Sequence, residues 1–205
     1  MSRSKKISLF IVFTLIFGVI AVFHESRIGK FIDREVYEFI YASESFLTTA
    51  LFLGFTQLGE VISMIILSLI VIVILFLYRM NIHALFMVVS MLASSILIPI
   101  LKHSFDRERP AFLRLIEISG FSFPSGHSLG STIFFGSLMV IIKHTNLNHK
   151  AVLYAICAGF ILLICSSRVY LGVHFPTDVL AGIAIGSATV ALVSWLFHGK
   201  FNDIK

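Results

Sequence analysis

The chain has 205 residues, of which 58% are hydrophobic and 21 are phenylalanine, and its mean hydropathy is +0.97. That composition excludes a soluble globular domain and reads as a multi-pass membrane protein. The net charge of +5 does not indicate a nucleic-acid partner, because the basic residues divide between the two ends of the apolar segments instead of forming one patch.

Six apolar runs, at residues 7–23, 61–78, 82–101, 128–142, 151–167 and 179–197, are predicted to be membrane-spanning helices. The first follows Arg3, Lys5 and Lys6 in the manner of a signal peptide. His24-Glu25-Ser26-Arg27 comes next in place of a small-residue cleavage site, so an uncleaved span is expected. In the connection that follows, Ile32, Val36, Phe39 and Ile40 share one helical face, with Asp33, Arg34, Glu35 and Glu38 elsewhere. This pattern predicts an interfacial amphipathic helix between spans 1 and 2, either a lipid-facing wall beside a site or an element packed for stability. Residues 46–57 are apolar but too short to span and are expected to pack on the bundle. The run at 128–142 is the shortest and reaches spanning length only when extended from Pro124 to His144. Cys157 and Cys165 lie about 12 Å apart along one helix, too far for a disulfide. Gly182 and Gly186 form a G-x-x-x-G expected to pack within the bundle rather than against a second copy. The expected fold is all-α integral membrane, a six-helix bundle forming one domain over residues 1–205 with no obligate protein partner.

An even number of spans puts both termini on one side. That side carries Arg3, Lys5, Lys6, Arg79, Lys143, Lys150, Lys200 and Lys205, with Asp203 as its only acid. The other side carries Arg27, Lys30, Arg34, Lys102, Arg107, Arg109, Arg114 and Arg168, an equal number of basic residues. Setting aside three of these as candidate phosphate ligands tips the balance toward termini in the cytoplasm and an active site on the outer face.

Three clusters in the second half carry the chemistry. They are Lys102 with Arg109-Pro110, then Pro124-Ser125-Gly126-His127, then Ser167-Arg168 with His174 and Asp178. Lys102, Arg109 and Arg168 are three cations, enough to offset a phosphate monoester dianion; arginine grips two oxygens with its planar fork, and lysine acts as a point charge. Pro124 suits a helix start, where Ser125 and Gly126 would present free backbone N–H groups to an anion. Asp178 lies four residues after His174. If it accepts the Nδ1 proton, the other ring nitrogen keeps a lone pair, which makes His174 the candidate nucleophile and Asp178 its orienting partner. His127 is left as the general acid for the leaving alkoxide and then the base for water.

Each residue alone has a plainer reading: membrane-anchoring cations, a surface histidine, a turn at Pro-Ser-Gly. Their joint spacing argues for one site. A zinc site drawn from His103, His127, His174 and Asp178 is the sharper rival. Three cations in the same cluster would repel a metal, and two-metal chemistry needs more carboxylates than these loops supply, so no metal and no cofactor are expected.

Read as K-x6-R-P, P-S-G-H and S-R-x5-H-x3-D, the clusters resemble the type-2 phosphatidic acid phosphatase superfamily, which also includes glucose-6-phosphatase and the vanadium haloperoxidases. All eleven motif identities are present between residues 102 and 178. The resemblance implies a membrane lipid phosphate phosphatase acting through a phosphohistidine intermediate, with a bilayer-dissolved substrate such as phosphatidylglycerophosphate, phosphatidate or undecaprenyl pyrophosphate. The short chain looks most like bacterial phosphatidylglycerophosphatase-type members. The alternative is a non-catalytic phospholipid-binding or transport protein on the same bundle; such proteins commonly lose the nucleophile or the acid, and neither is missing here.

Overall fold

A computed structural model of the chain describes residues 1–42, 44–111 and 114–201. These residues form eight α-helices and, among the described residues, no strand. The helices are α1 (Arg3–Phe23), α2 (Arg27–Tyr41), α3 (Phe46–Leu58), α4 (Val61–Leu77), α5 (Asn81–Phe105), α6 (Gly126–Lys143), α7 (Lys150–Tyr170) and α8 (Pro176–Leu196). Serine starts four of them. Ser2, Ser26, Ser45 and Ser125 each accept from the backbone N–H three residues on, which satisfies one orphan donor of the first turn.

Each of the six apolar runs coincides with a helix, but they are not equal as membrane spans. Among the described residues, α1, α5, α7 and α8 are long and apolar enough to cross a membrane by themselves. The pair α2–α3, bent by 118°, qualifies only as a unit, and α4 is apolar at 17 residues. The difference at α6 has a local cause. It has 18 residues, but Ser128, Gly130, Ser131, Thr132 and Ser137 dilute its apolar character. Those same residues are buried, because α5, α7 and α8 all pack on α6 and hide it from the surroundings.

The helices converge on two ends. The α1 helix runs along α8; Lys6 donates to the Ser194 carbonyl at 2.8 Å, and the Arg3 guanidinium lies 4.8 Å from the Trp195 ring centre. The start of α1 and the end of α8 therefore share one end. At the other end the N–H of Ser125, ahead of α6, donates to the Asp178 carbonyl in the first turn of α8 (3.0 Å). The last residues of α5 and α7 reach that end as well. Lys205 and Asp203 of the charge comparison lie outside the described residues.

The α2 helix turns its apolar face away from the bundle, as the lipid-facing alternative has it. Its inward stripe is Gly29, Asp33 and Tyr37, whereas Ile32, Val36 and Phe39 point away from the bundle, Phe39 with 81% of its surface exposed. Asp33, grouped by sequence with the charged residues away from the apolar face, is buried. The α3 helix packs on α7, as expected for an apolar element too short to span, and Thr49 meets the Tyr170 hydroxyl at 2.6 Å. Cys157 and Cys165 are both free and buried.

The G-x-x-x-G closes the α6–α8 contact. A Cβ on Gly182 would stand 2.8 Å from the Ser125 carbonyl oxygen and 2.9 Å from Ser128 Cβ, and one on Gly186 would stand 2.9 Å from Thr132 Cβ. Backbone rather than a flexible side-chain tip receives the first clash, so it cannot relax cheaply. Gly182→Ala should cost about 1–3 kcal/mol by overpacking and lower the thermal midpoint in detergent by several degrees. Gly159→Ala, with nothing within 4 Å of the added carbon, should not. Equal midpoints for the two variants would remove this contact from the list of constraints on the bundle.

Candidate active site

The site forms where α5, α6, α7 and α8 end together. The α5 helix stops at Asp106, whose left-handed backbone (φ 46°) is of a kind that aspartate adopts more readily than most residues. The chain then runs so that Arg107 and Arg109 turn inward while Asp106 and Glu108 stay exposed. Alternating burial along the segment thus delivers two arginines to the interior.

His174 and Asp178 meet as the i, i+4 spacing suggested. The His174 Nδ1 lies 3.4 Å from Asp178 Oδ2 and 3.3 Å from Ser122 Oγ, while its Nε2 lies 3.2 Å from Arg109 Nη1. An arginine can only donate, so Nε2 accepts and the ring proton belongs on Nδ1. The Nε2 lone pair therefore faces the cation. Burial, assisted by the charges of Arg109 and Arg168, pulls the His174 imidazole down to about 3 against the opposing effect of Asp178. The ring is neutral across the physiological range.

Asp178 is itself fully buried and heavily bonded. Its Oδ2 accepts from Ser122 Oγ at 2.5 Å and from the Phe175 backbone N–H at 2.9 Å, and its Oδ1 accepts from Arg107 Nη1 at 2.5 Å. Arg107 extends the network to α2. It donates to Thr177 Oγ1 and, through Nη2, to Asp33 Oδ2, both at 2.8 Å, while Asp33 accepts the Thr177 backbone N–H at 2.8 Å. Glu25 stands 3.1 Å from Arg107 Nε, and Phe175 lies beneath the guanidinium at 4.1 Å.

The three predicted cations lie around this core. Arg109 donates from Nε to the Gly120 carbonyl and from Nη1 to the Val173 carbonyl, both at 2.8 Å. Lys102 donates to the Phe121 carbonyl at 3.0 Å, and its Cε would lie 3.8 Å from a Cβ on Gly126, so it passes over the start of α6. Arg168 has no exposed surface; Nη1 donates to Thr56 Oγ1, but Nε and Nη2 have no acceptor among the described residues. The charges of Arg109 and Arg168 act on Lys102, and those of Lys102 and Arg168 on His127, so the positive groups form one cluster.

Two details differ from the sequence reading. The Ser125 N–H is not free, since the Asp178 carbonyl takes it; Gly126 and His127, at the first two helical positions, are the groups without an intrahelical acceptor. His127 has a carboxylate partner of its own, with Nε2 at 3.2 Å from Glu60 Oε1. Hydrogen bonding from that ring holds the Glu60 carboxyl below its usual range. The histidines proposed as metal ligands are dispersed: His103 lies edge-on to Phe121, His127 pairs with Glu60 and His174 with Asp178. Among the described residues no three His, Cys, Asp or Glu side chains gather as a metal site.

Sequence reasoning missed Arg107, Ser122, Asp33 and Glu60. Arg107 had a usable signal, its R-x-R spacing with Arg109 in an extended loop. Ser122 lies two residues before Pro124 but outside the motif pattern, and Asp33 and Glu60 come from distant parts of the chain; none of the three had a local signal.

Residues 83–202 match the PAP2 superfamily. Phosphatidylglycerophosphatase B of Bacillus subtilis (strain 168) is 38% identical over 157 residues, which is 74% of this chain and 74% of that protein. Undecaprenyl-diphosphatase BcrC of the same organism is 29% identical over 83 residues, 40% of this chain and 36% of BcrC. Among solved structures, the first transmembrane PAP2 type phosphatidylglycerolphosphate phosphatase from B. subtilis superposes with a TM-score of 0.86 at 29% identity, covering 96% of this chain and 98% of that one. Aquifex aeolicus LpxE superposes with a TM-score of 0.66 at 25% identity, covering 78% of this chain and 93% of its own.

Arg107→Gln leaves the carboxylates of Asp33 and Asp178 buried without their shared cation and should cost about 3–5 kcal/mol. Arg34→Gln, which removes only the exposed pair with Glu38, should leave the midpoint where it was. Comparable midpoints for both would show that Arg107 is not structurally required. A pH effect follows from His174. The unfolded ring binds a proton near its ordinary value, 6.5, and the folded one only near about 3. Its contribution to stability is thus complete above the unfolded value and is lost as pH falls toward the folded one. Thermal midpoints should drop on acidification through that window, and less steeply for His174→Ala; parallel curves would contradict a depressed His174.

Proposed function

Because the chain belongs to the PAP2 superfamily, we propose that it is a lipid phosphate phosphatase of the plasma membrane, a metal-independent phosphoric monoester hydrolase. Its substrates would be bilayer lipids bearing a terminal phosphate: phosphatidylglycerophosphate, phosphatidate or undecaprenyl pyrophosphate. The first is favoured by the 38% identity to a phosphatidylglycerophosphatase and the last by the shorter match to an undecaprenyl-diphosphatase. The observation that carries the reading is Arg168. A guanidinium with no exposed surface and two nitrogens lacking acceptors among the described residues is costly unless an anion takes them. The neighbouring group is a neutral imidazole with its lone pair on Nε2.

His174 Nε2 attacks phosphorus, forming an N–P bond as the P–O bond to the lipid breaks. Asp178, fixed by Arg107, Ser122 and the Phe175 N–H, holds the Nδ1 proton and stabilises positive charge as it develops on the ring. Lys102, Arg109, Arg168 and the Gly126 and His127 N–H groups at the start of α6 hold the equatorial oxygens of the five-coordinate phosphorus. His127 protonates the leaving alkoxide, then takes a proton from the water that attacks phosphorus and returns the electron pair to Nε2. The cations supply the charge that metal ions supply in other phosphatases.

The bilayer arrangement proposed is one domain of six spans, with α4 and α6 crossing alongside α1, α5, α7 and α8. The polar residues of α6 are buried against protein and meet no lipid. The exposed apolar side of α2 suits an interfacial helix beside the site. The charge balance favours an outer-face site and cytoplasmic termini, and the lipid phosphate then lies at the depth of the helix ends.

Detergent-purified protein in EDTA should release phosphate from these lipids, His174→Ala should not, and millimolar vanadate should inhibit as a mimic of five-coordinate phosphorus. Activity that EDTA abolishes, or that persists in the variant, would overturn the mechanism. A folded protein that releases nothing from any of the lipids would point to a binding or transport role.

A further inference from the structure

Glu60 is the N-cap residue of α4 but makes no side-chain capping bond. Its carboxylate reaches across to His127 Nε2 at 3.2 Å instead. The residue before it makes that approach possible. A Cβ on Gly59 would stand 2.7 Å from His127 Cδ2 and 2.8 Å from Ile164 Cγ2, so the bare backbone of the α3–α4 corner lies directly against the imidazole. One turn earlier, Thr56 accepts from Arg168 Nη1. The corner therefore touches two of the proposed site groups from outside the three sequence motifs.

We propose that the α3–α4 corner positions the acid: Gly59 lets the backbone pack on the His127 ring, and Glu60 is the orienting carboxylate of His127. This rests on the phosphatase reading above. The two histidines then form complementary dyads. Asp178 bonds Nδ1 of His174 and leaves Nε2 for phosphorus; Glu60 bonds Nε2 of His127 and leaves Nδ1 for the leaving oxygen. In the first step the N–P bond forms from the Nε2 pair of His174, and the P–O bond breaks with its electron pair going to oxygen. That oxygen takes the Nδ1 proton of the His127 imidazolium, whose charge Glu60 has stabilised. In the second step Nδ1 recovers a proton from water as the hydroxide displaces nitrogen from phosphorus. Glu60 touches no reacting atom and is a positioning residue.

The test separates protonation of the leaving group from general damage. Phosphatidate must expel an alkoxide, which needs the proton, whereas p-nitrophenyl phosphate expels a phenolate that does not. The value of kcat/KM reads only steps up to that first cleavage. With full-length protein in detergent, Glu60→Gln should lower kcat/KM for phosphatidate about 100-fold and for p-nitrophenyl phosphate less than about 3-fold. Glu60→Asp should recover part of the phosphatidate rate, and Gly59→Ala should show the same asymmetry. In a His127→Ala background, Glu60→Gln should cost nothing more. Equal losses on both substrates, or an undiminished cost without His127, would reduce the corner to a structural role and overturn the proposal. Normal phosphatidate turnover by Glu60→Gln would also overturn it while leaving the phosphatase reading intact. A wild type that releases phosphate neither from p-nitrophenyl phosphate nor from any of the three lipids would overturn that reading and this one with it.

Discussion

The buried carboxylate of Asp178 is the constraint around which the rest is arranged. A charge without solvent is tolerable only when surrounded by donors, and here they come from four places: a loop arginine, a loop serine, the backbone ahead of α8, and His174. Arg107 in turn requires Asp33, which draws α2 against the start of α8. One buried negative charge thus fixes the tautomer of His174, the path of the α5–α6 connection and the seat of the surface helix. The stability and chemistry of this end of the molecule share one set of bonds.

The cations are restrained differently. Arg109 and Lys102 spend donors on the carbonyls of Gly120, Val173 and Phe121, so the loop from Ser119 to Phe123 serves as a scaffold for positive charge. Restraint by backbone carbonyls leaves net charge uncancelled, which suits groups meant for an anion. Among the described residues Arg168 is hydrogen-bonded through its side chain only by Nη1, to a threonine hydroxyl. The network separates a neutralised half, Arg107 with its carboxylates, from an uncancelled half facing His174.

Periodicity and spacing revealed the helices and the motif residues because both are local signals. Every apolar run became a helix, and the i, i+4 relation of His174 and Asp178 translated directly into contact. What stayed hidden depended on tertiary placement. Asp33 looked like one charge among several on α2, and only the rotation that buries Gly29, Asp33 and Tyr37 reveals its role. Glu60 is 67 residues from His127 and carries no local signal of the contact. The free N–H expected at Ser125 was lost to a carbonyl on another helix, which local helix geometry cannot anticipate.

The polar interior of α6 also bears on how the molecule is made. Its serines, threonine and glycines are acceptable because α5, α7 and α8 surround it, yet α7 and α8 follow it in the chain. On the six-span arrangement, this segment emerges from the ribosome before α7 and α8, the two helices most extensively packed on it, exist. Hydrophobicity alone partitions it weakly, so its retention in the bilayer depends on helices not yet synthesised. On that arrangement, the helix that carries the proposed acid at its tip relies on later helices for its membrane integration.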